Sequence, residues 1–196
     1  MDTGFGKIPF TADLLGHVQT FDCGNEVYQI EVSDWIKNVG PYAVIGCMKR
    51  WGTKVWLYTT GEGDLIGFGS VGSTNWNWPS ASDGKVAVAL IPSLGVDKRF
   101  WHKPEGPSEH RYSTRIVLDL VAEARKLPSI KPVIGLFVHP SNLAAIQLYS
   151  RVGFVDFHQR SKGADRSTDY IGMIASLADA VPKTAYRHAG PDRVFS

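Results

Sequence analysis

The residues VIGLFVHPSNLAAIQLYSRVGF, positions 133–154, contain the pattern from which the fold of the chain is predicted. Residues 133–138 are continuously apolar, which is typical of a strand covered on both faces of a sheet. The run ends at Val138, and a short amphipathic segment follows Pro140. We expect a buried strand, a turn, a short helix and the start of another strand at Phe154.

The short helix carries a tyrosine close to its end. Asn142 is well placed to cap it, because an asparagine side chain accepts a hydrogen bond from a first-turn N–H group. Gly153 stands where a left-handed residue commonly ends a helix. The apolar stripe between them, with i, i+3, i+4, i+7 spacing, consists of Ala145, Leu148, Tyr149 and Val152. Tyr149 is therefore expected at the edge of the buried face, with its hydroxyl directed toward a cleft.

The segment before this unit predicts a parallel strand pair. KVAVALIPSLGV, 85–96, reads as a central strand with a bulge or bend at Pro92, which cannot donate a hydrogen bond to a sheet. From Ile116 to Ala124 the apolar residues share one helical face, and Pro128 is expected to end that helix. Strand, helix and strand in this order form a right-handed βαβ unit.

The first half of the chain is predicted to be antiparallel. KVWLYTT, 54–60, and DLIGFGSVGS, 64–73, flank a GEGD turn as in a hairpin, and NWNWPSASDG, 75–84, reads as a loop. A helix is expected within 21–40, before Gly40 and Pro41. The predicted fold class is α/β (mixed α+β), with one mixed central sheet whose faces are covered by helices.

Composition and charge favour a soluble globular protein. The length of 196 residues suits one domain, 1–175, with a C-terminal tail, 176–196. A net charge of +2 permits an anionic partner without requiring one. Two cysteines favour a reducing, cytoplasmic location, and neither a signal peptide nor a membrane-spanning run is expected. The histidines lack metal-ligand spacing, so no metal site is predicted. A homodimer is compatible with the sequence.

Residues 138–154 resemble the strand–helix signature V-x-x-x-N-x-x-A-x-x-x-Y-x-x-x-G-F of the GNAT superfamily of acyl-CoA N-acyltransferases. Its typed positions are matched in register by Asn142, Ala145, Tyr149, Gly153 and Phe154. The resemblance implies a GNAT-like sheet and acetyl-CoA as the cofactor. It also implies that Tyr149 is the catalytic residue, donating a proton to the departing thiolate of coenzyme A, and that Asn142 contacts the cofactor arm.

A second feature of the superfamily is a Q/R-x-x-G-x-G/A loop that holds the cofactor's pyrophosphate at a helix start. LGVDKRF, 94–100, resembles the segment before this loop, with Arg99 at the Q/R position. The two glycines of this loop are not matched. When the motif is aligned from Arg99, His102 stands at the first glycine position; when it is aligned from the following helix, Arg111 and Ser113 stand at the two glycine positions. The alternative is a surface insertion, 102–112, without a ligand. The predicted cofactor-binding residues are Leu94, Gly95, Val96, Arg99, Phe100, His102, Lys103, Arg111, Ser113, Thr114, Asn142 and Tyr149.

In the superfamily the cofactor arm binds backbone exposed at a splayed strand, which here implies Leu94 and Val96.

The acceptor side is less defined by the sequence. A general base is not singled out, and the candidates are Asp97, Glu62, Asp64 and Glu105. Trp76 and Trp78 are candidates for lining an acceptor pocket, with a surface loop as the alternative.

The resemblance predicts an N-acetyltransferase acting on a primary amine of a small molecule or a peptide. Two alternatives stay open. FDCGNEVYQIEVSDWI, 21–36, together with LGVDKRF, resembles the toxin-type branch that acetylates aminoacyl-tRNA, so tRNA is a second, less favoured partner. The other alternative is a non-catalytic relative that binds an acyl-CoA or a partner protein through the same cleft, and the altered 102–113 loop favours it.

Overall fold

The computed structural model describes residues 5–77, 84–101, 111–127, 132–162 and 169–178. Its strands are β1 (Gly6–Pro9), β2 (Lys54–Thr59), β3 (Leu65–Asn77), β4 (Lys85–Ile91), β5 (Leu94–Val96), β6 (Val133–Val138), β7 (Val155–Lys162) and β8 (Asp169–Ser176). Its α-helices are α1 (Val27–Lys37), α2 (Val44–Trp51), α3 (Tyr112–Ala124) and α4 (Leu143–Val152). Short 3₁₀ helices span Ala12–Val18 and Lys98–Phe100.

The strands form one mixed sheet in the order β1-β2-β3-β4-β6-β8-β7, with β5 paired to β3. β4 and β6 run parallel, and the other pairs are antiparallel. Helix α3 supplies the crossover between the two parallel strands, as the βαβ spacing predicts. The predicted fold class, including the antiparallel N-terminal half and the parallel pair, is confirmed.

A break at Pro92 and Ser93 separates β4 from β5. Both segments pair with β3, β4 along its second half and β5 along its first half. The fully buried Ser70 of β3 fills the break: its hydroxyl donates to the Ser93 carbonyl at 2.6 Å and accepts from the Ser93 N–H at 3.0 Å. The predicted bend at Pro92 is therefore present, and a side chain on the neighbouring strand satisfies the Ser93 N–H, which has no backbone partner in the ladder.

Two apolar clusters lie on opposite faces of the sheet. Because side chains alternate along a strand, Trp56 and Tyr58 of β2 join the cluster under α3 and α4, whereas Val55 and Leu57 join the one under α1 and α2. The predicted apolar face of α3 is buried throughout, and its members are Ile116, Val117, Leu120, Val121 and Ala124. On β6, Ile134, Leu136 and Val138 belong to the cluster under α3 and α4, and Phe137 on the other face packs against Trp76, so the strand reads as a continuous apolar run.

Several boundaries differ from the predicted ones. β3 continues to Asn77 although 75–77 reads as loop, because Trp76 is buried and packs against Phe137 and Phe157. Helix α3 begins at Tyr112 and ends at Ala124, before Pro128. Helix α2 and strands β1 and β8 were not predicted.

The end of the domain is described only in part. Strand β8 reaches Ser176, and the buried Leu177 donates its N–H to the Pro132 carbonyl at 2.7 Å. Most of the predicted tail, 179–196, lies outside the described residues, so the domain boundary stays a prediction. No helix in the described ranges has both the length and the apolar character needed to cross a membrane.

Candidate functional site

A gap opens in the sheet between β5 and β6. The parallel pairing of β4 with β6 runs from Ala89 and Ile134 to Ile91 and Leu136. After Ile91 the chain turns at the break and follows β3 as β5, while β6 continues to Val138 beside β8. One edge of β5 therefore faces the gap instead of another strand.

The register of β5 fixes which backbone groups point into the gap. Ser70 donates its N–H to the Ser93 carbonyl, and Asp97 donates its N–H to the Ile66 carbonyl. Because hydrogen-bonded positions alternate in an antiparallel ladder, Leu94 and Val96 turn their N–H and C=O groups away from β3. The Val96 carbonyl accepts a hydrogen bond from the Trp101 indole at 3.1 Å. Leu94 thus presents the polar backbone that an extended ligand can pair with.

The larger of two adjoining cavities, about 460 Å³, lies between β5 and the starts of α3 and α4. Two helix N-termini and the side chains of Arg111 and Arg151 border it. The first turn of α3 contains no acidic residue. Helix N-termini carry N–H groups without intrahelical partners and a partial positive charge, so this end of the cavity suits an anionic group such as a phosphate.

The smaller cavity, about 240 Å³, lies on the other side of the gap. Helix α1, the break after β4, the end of β6 and Tyr170 of β8 line it. The residues that line both cavities are Tyr28, Val32, Leu94, Asn142 and Tyr149. The two cavities therefore meet beside Tyr149.

Tyr149 is packed at this junction. It is 7% exposed, and its ring packs against Phe154 with the ring centroids 5.9 Å apart. No residue in the described ranges forms a hydrogen bond with its hydroxyl group. Burial raises the pKa of Tyr149, so the phenol carries its proton at neutral pH. A buried, protonated hydroxyl between two cavities can donate to a group that develops negative charge there.

Comparison with known proteins identifies the fold. The sequence matches no family model and no curated protein. Among solved structures, a bacterial toxin is 16% identical, with a TM-score of 0.65, over 96% of this chain and 99% of that one. Arabidopsis thaliana NAA60 in complex with acetyl-CoA is 17% identical, with a TM-score of 0.57, over 89% and 99%. A protein assigned to the GnaT family of acetyltransferases, from Bordetella pertussis, is 11% identical, with a TM-score of 0.58, over 88% and 95%.

The chain has the GNAT fold. The signature at 138–154 is formed as predicted. Asn142 caps α4 by accepting the Ala145 N–H at 3.1 Å, and Gly153 takes the left-handed conformation, with φ of 105°. The Asn142 side-chain oxygen is thus engaged with its own helix, and its amide group remains for a contact with a ligand.

Most of the predicted cofactor-binding residues come together in the larger cavity of this GNAT fold. The ones that line it are Leu94, Gly95, Val96, Phe100, Arg111, Ser113, Asn142 and Tyr149. Arg99 is absent from the described lining because its guanidinium bonds to the buried Asp97 at 2.8 and 3.2 Å. Thr114 is absent from it too, lying in the first turn of α3. His102 and Lys103 lie outside the described residues.

The acceptor-side candidates that the structure describes do not line either cavity. Asp97 is buried beside Arg99, and neither Glu62 nor Asp64 belongs to the described lining of either cavity. Trp76 is a core residue of β3, so neither of the two readings offered for it, a pocket wall or a surface loop, is correct. Glu105 and Trp78 lie outside the described residues.

Sequence reasoning missed several residues that line the site. These are Cys23, Glu31, Arg151, His139 and Tyr170. His139 had a usable signal, because it directly follows a buried parallel strand, where ligand sites of α/β sheets commonly lie. Burial raises the pKa of the Cys23 thiol to about 12, so this cysteine stays protonated and is no nucleophile.

Proposed function

We propose that the protein is a GNAT-type N-acetyltransferase that moves an acetyl group from acetyl-CoA to a primary amine by direct attack on the thioester. The observation that carries this proposal is the buried phenol of Tyr149 at the meeting point of two cavities. One cavity has the shape and the positive helix ends for a long anionic cofactor, and the other has room for a small acceptor group.

The residues of the larger cavity fit the chemical parts of coenzyme A. The start of α3, with Arg111 and Ser113, would hold the phosphates, since N–H groups and positive charge meet there. The backbone of Leu94 would pair with the amide arm as an added strand. The structure of NAA60, which has the same fold, contains acetyl-CoA. This agreement supports an acyl-CoA as the ligand of the cleft.

Acetyl-CoA supplies an activated acetyl group, whose thioester carbonyl accepts an attacking amine and whose thiolate leaves. The nitrogen of the neutral amine would attack the carbonyl carbon and the carbon–sulfur bond would break. Tyr149 would donate its phenolic proton to the departing sulfur, and the proton that the nitrogen loses would restore the phenol, so that the products are an amide and a neutral thiol. The side chains of Val32 and Leu94, which border both cavities, present apolar surface beside Tyr149.

The direct test is release of coenzyme A thiol from acetyl-CoA in the presence of a panel of primary amines. Tyr149→Phe keeps the ring in the core but removes the proton donor. We expect kcat to fall by roughly 100-fold, while the Kd for acetyl-CoA measured by calorimetry changes less than about twofold. Tyr42→Phe, at an exposed position of the loop before α2, is the control and should leave both quantities unchanged.

Unchanged turnover of Tyr149→Phe would remove the assigned role of the phenol. Absence of acetyl-CoA binding in the wild-type protein would remove the proposal altogether. Binding of acetyl-CoA without turnover of any amine would instead favour the non-catalytic relative.

A second candidate is a toxin-type enzyme that acetylates aminoacyl-tRNA. The likeness of the chain to a bacterial toxin over nearly the full length of both chains supports it. Expression of the wild-type protein should then arrest growth, and expression of Tyr149→Phe should not. Normal growth at high expression would contradict this candidate while leaving the acetyltransferase proposal intact.

A further inference from the structure

The smaller cavity contains a carboxylate that the proposed chemistry has not yet used. Glu31 projects from α1, and among the described residues lining this cavity it is the single acidic one. Its Oε2 accepts a hydrogen bond from the hydroxyl of Tyr170, which lies 139 positions away on β8. No lysine or arginine side chain in the described ranges pairs with Glu31. The carboxylate is therefore tethered by a hydroxyl group and is not paired with a cationic side chain of the described ranges.

Aromatic rings surround this carboxylate. His139 stacks on Tyr28 with centroids 5.1 Å apart and meets the edge of Tyr170 at 5.3 Å. Trp35 and Phe137 complete the walls of the cavity. Faces of aromatic rings carry negative charge density, and together with a carboxylate they attract a cation and disfavour an anion.

His139 cannot replace Glu31 as the acceptor of an ammonium hydrogen bond. Its Nδ1 accepts the backbone N–H of Ser141 at 3.1 Å. A neutral imidazole whose Nδ1 accepts must carry its proton on Nε2, so the nitrogen left for a ligand is a donor. Among the described residues that line this cavity, Glu31 is therefore the side chain that can accept a charge-assisted hydrogen bond from a cationic nitrogen.

We propose that Glu31, positioned by the Tyr170 hydroxyl, binds the acceptor as its ammonium, which releases one proton to solvent before the nitrogen attacks, and that the site selects amines whose amine-bearing carbon carries no free carboxylate. This inference rests on the proposed function, since it assigns the smaller cavity to the acceptor. Free amino acids bind less tightly because their carboxylate would enter beside Glu31 and the ring faces. Simple arylalkyl amines and amino esters, which lack that charge, are accepted.

Three matched probes separate these classes: phenethylamine, phenylalanine methyl ester and phenylalanine. Binding of each is measured by calorimetry to the full chain saturated with coenzyme A, so that the result does not depend on turnover. The wild-type protein should bind phenethylamine and the ester at least about tenfold more tightly than phenylalanine.

Two substitutions test the residues. Glu31→Gln keeps the size and the acceptor for Tyr170 but removes the charge, and should weaken binding of phenethylamine by about 10- to 100-fold. Tyr170→Phe removes the tether and should weaken it by about two- to tenfold. Asp34→Asn is the matched control, because this exposed acid on the same helix is not in the described lining of either cavity. In steady-state assays Glu31→Gln should raise KM for the amine far more than it lowers kcat.

The outcomes distinguish this inference from the proposed function. Equal binding of phenethylamine by wild type and Glu31→Gln, tighter binding of phenylalanine than of phenethylamine, or no binding of any probe by the coenzyme A complex would each overturn it. If amines bind in a Glu31-dependent manner but acetyl transfer is never detected, the proposed function fails and the assignment of the cation site stands.

Discussion

Ile91 and Leu136 are the last paired residues of the parallel strands β4 and β6, and beyond them the two strands separate. The separation follows from the break at Pro92 and Ser93, after which the chain pairs with β3 and no longer with β6. Every feature of the proposed site depends on this divergence. Without it the Leu94 backbone would be sealed in a ladder, and Tyr149 would face solid core.

The hydroxyl of Ser70 should control the divergence. Ser70→Ala removes both of its hydrogen bonds to Ser93 and leaves the Ser93 N–H inside the sheet without this partner. We expect the free energy of unfolding, measured with urea, to fall by about 1–3 kcal/mol, and the Kd for acetyl-CoA to rise. Ser73→Ala, at an exposed position of the same strand, should change stability by less than about 0.5 kcal/mol. Equal stability of the two variants would show that the Ser70 hydroxyl does not hold the break.

The Trp101 indole competes with a ligand for the Val96 carbonyl. Trp101→Phe keeps an aromatic ring and removes the N–H donor that bonds to Val96 at 3.1 Å. The freed carbonyl can accept from the amide arm of coenzyme A, so the affinity for acetyl-CoA should increase by about two- to tenfold in calorimetry. Trp51→Phe, on the exposed side of α2, should leave the affinity unchanged. Weaker binding by Trp101→Phe would mean that the indole itself contacts the cofactor.

Arg151 should act on the charged part of the cofactor. Its side chain is exposed at the rim of the larger cavity, so its attraction to a phosphate is partly screened. Arg151→Gln should raise the KM for acetyl-CoA by about two- to fivefold at low salt, with a smaller effect at high salt. The KM for acetyl-pantetheine, which lacks the phosphates, should be unaffected, and Arg50→Gln on α2 is the control. An equal effect on both donors would contradict an electrostatic role.

The Cys23 thiol should be inert in the folded protein. Burial raises its pKa from 9.0 to about 12, so native protein at about pH 8 should react with iodoacetamide far more slowly than urea-unfolded protein, as followed by mass spectrometry. Because the folded pKa is the higher one, this group contributes stability that is present below about pH 9 and lost as the pH rises toward 12. Cys23→Ala should therefore lose less stability than wild type over that interval. Rapid labelling of native protein would contradict the burial.

The parts of the fold that the sequence predicts well are those determined by local chemistry. The cap at Asn142, the left-handed glycine at 153 and the bend at Pro92 follow from the conformational preferences of single residues. The apolar face of α3 follows from its periodicity. These elements include the tyrosine and the strand break around which the candidate site is built.

The remaining parts depend on partners that are distant in the chain. Residues 75–77 have the composition of a loop, yet they extend β3 because the Trp76 ring packs against the rings of Phe137 and Phe157. Glu31 has no local sign of a function, since its hydroxyl partner comes from β8 and its cavity from β6. Arg99 occupies the Q/R position of the family motif, but its guanidinium is hydrogen-bonded to the nearby Asp97 carboxylate. Such contacts are set by tertiary packing and not by spacing.

A crystal structure of the complex with acetyl-CoA tests the central claim most directly. The proposed chemistry requires the pantetheine arm beside Leu94, between β5 and β6, with the thioester sulfur about 3–3.5 Å from the Tyr149 hydroxyl. A cofactor bound elsewhere, or one whose sulfur points away from Tyr149, would contradict the acyl-transfer site described for this protein.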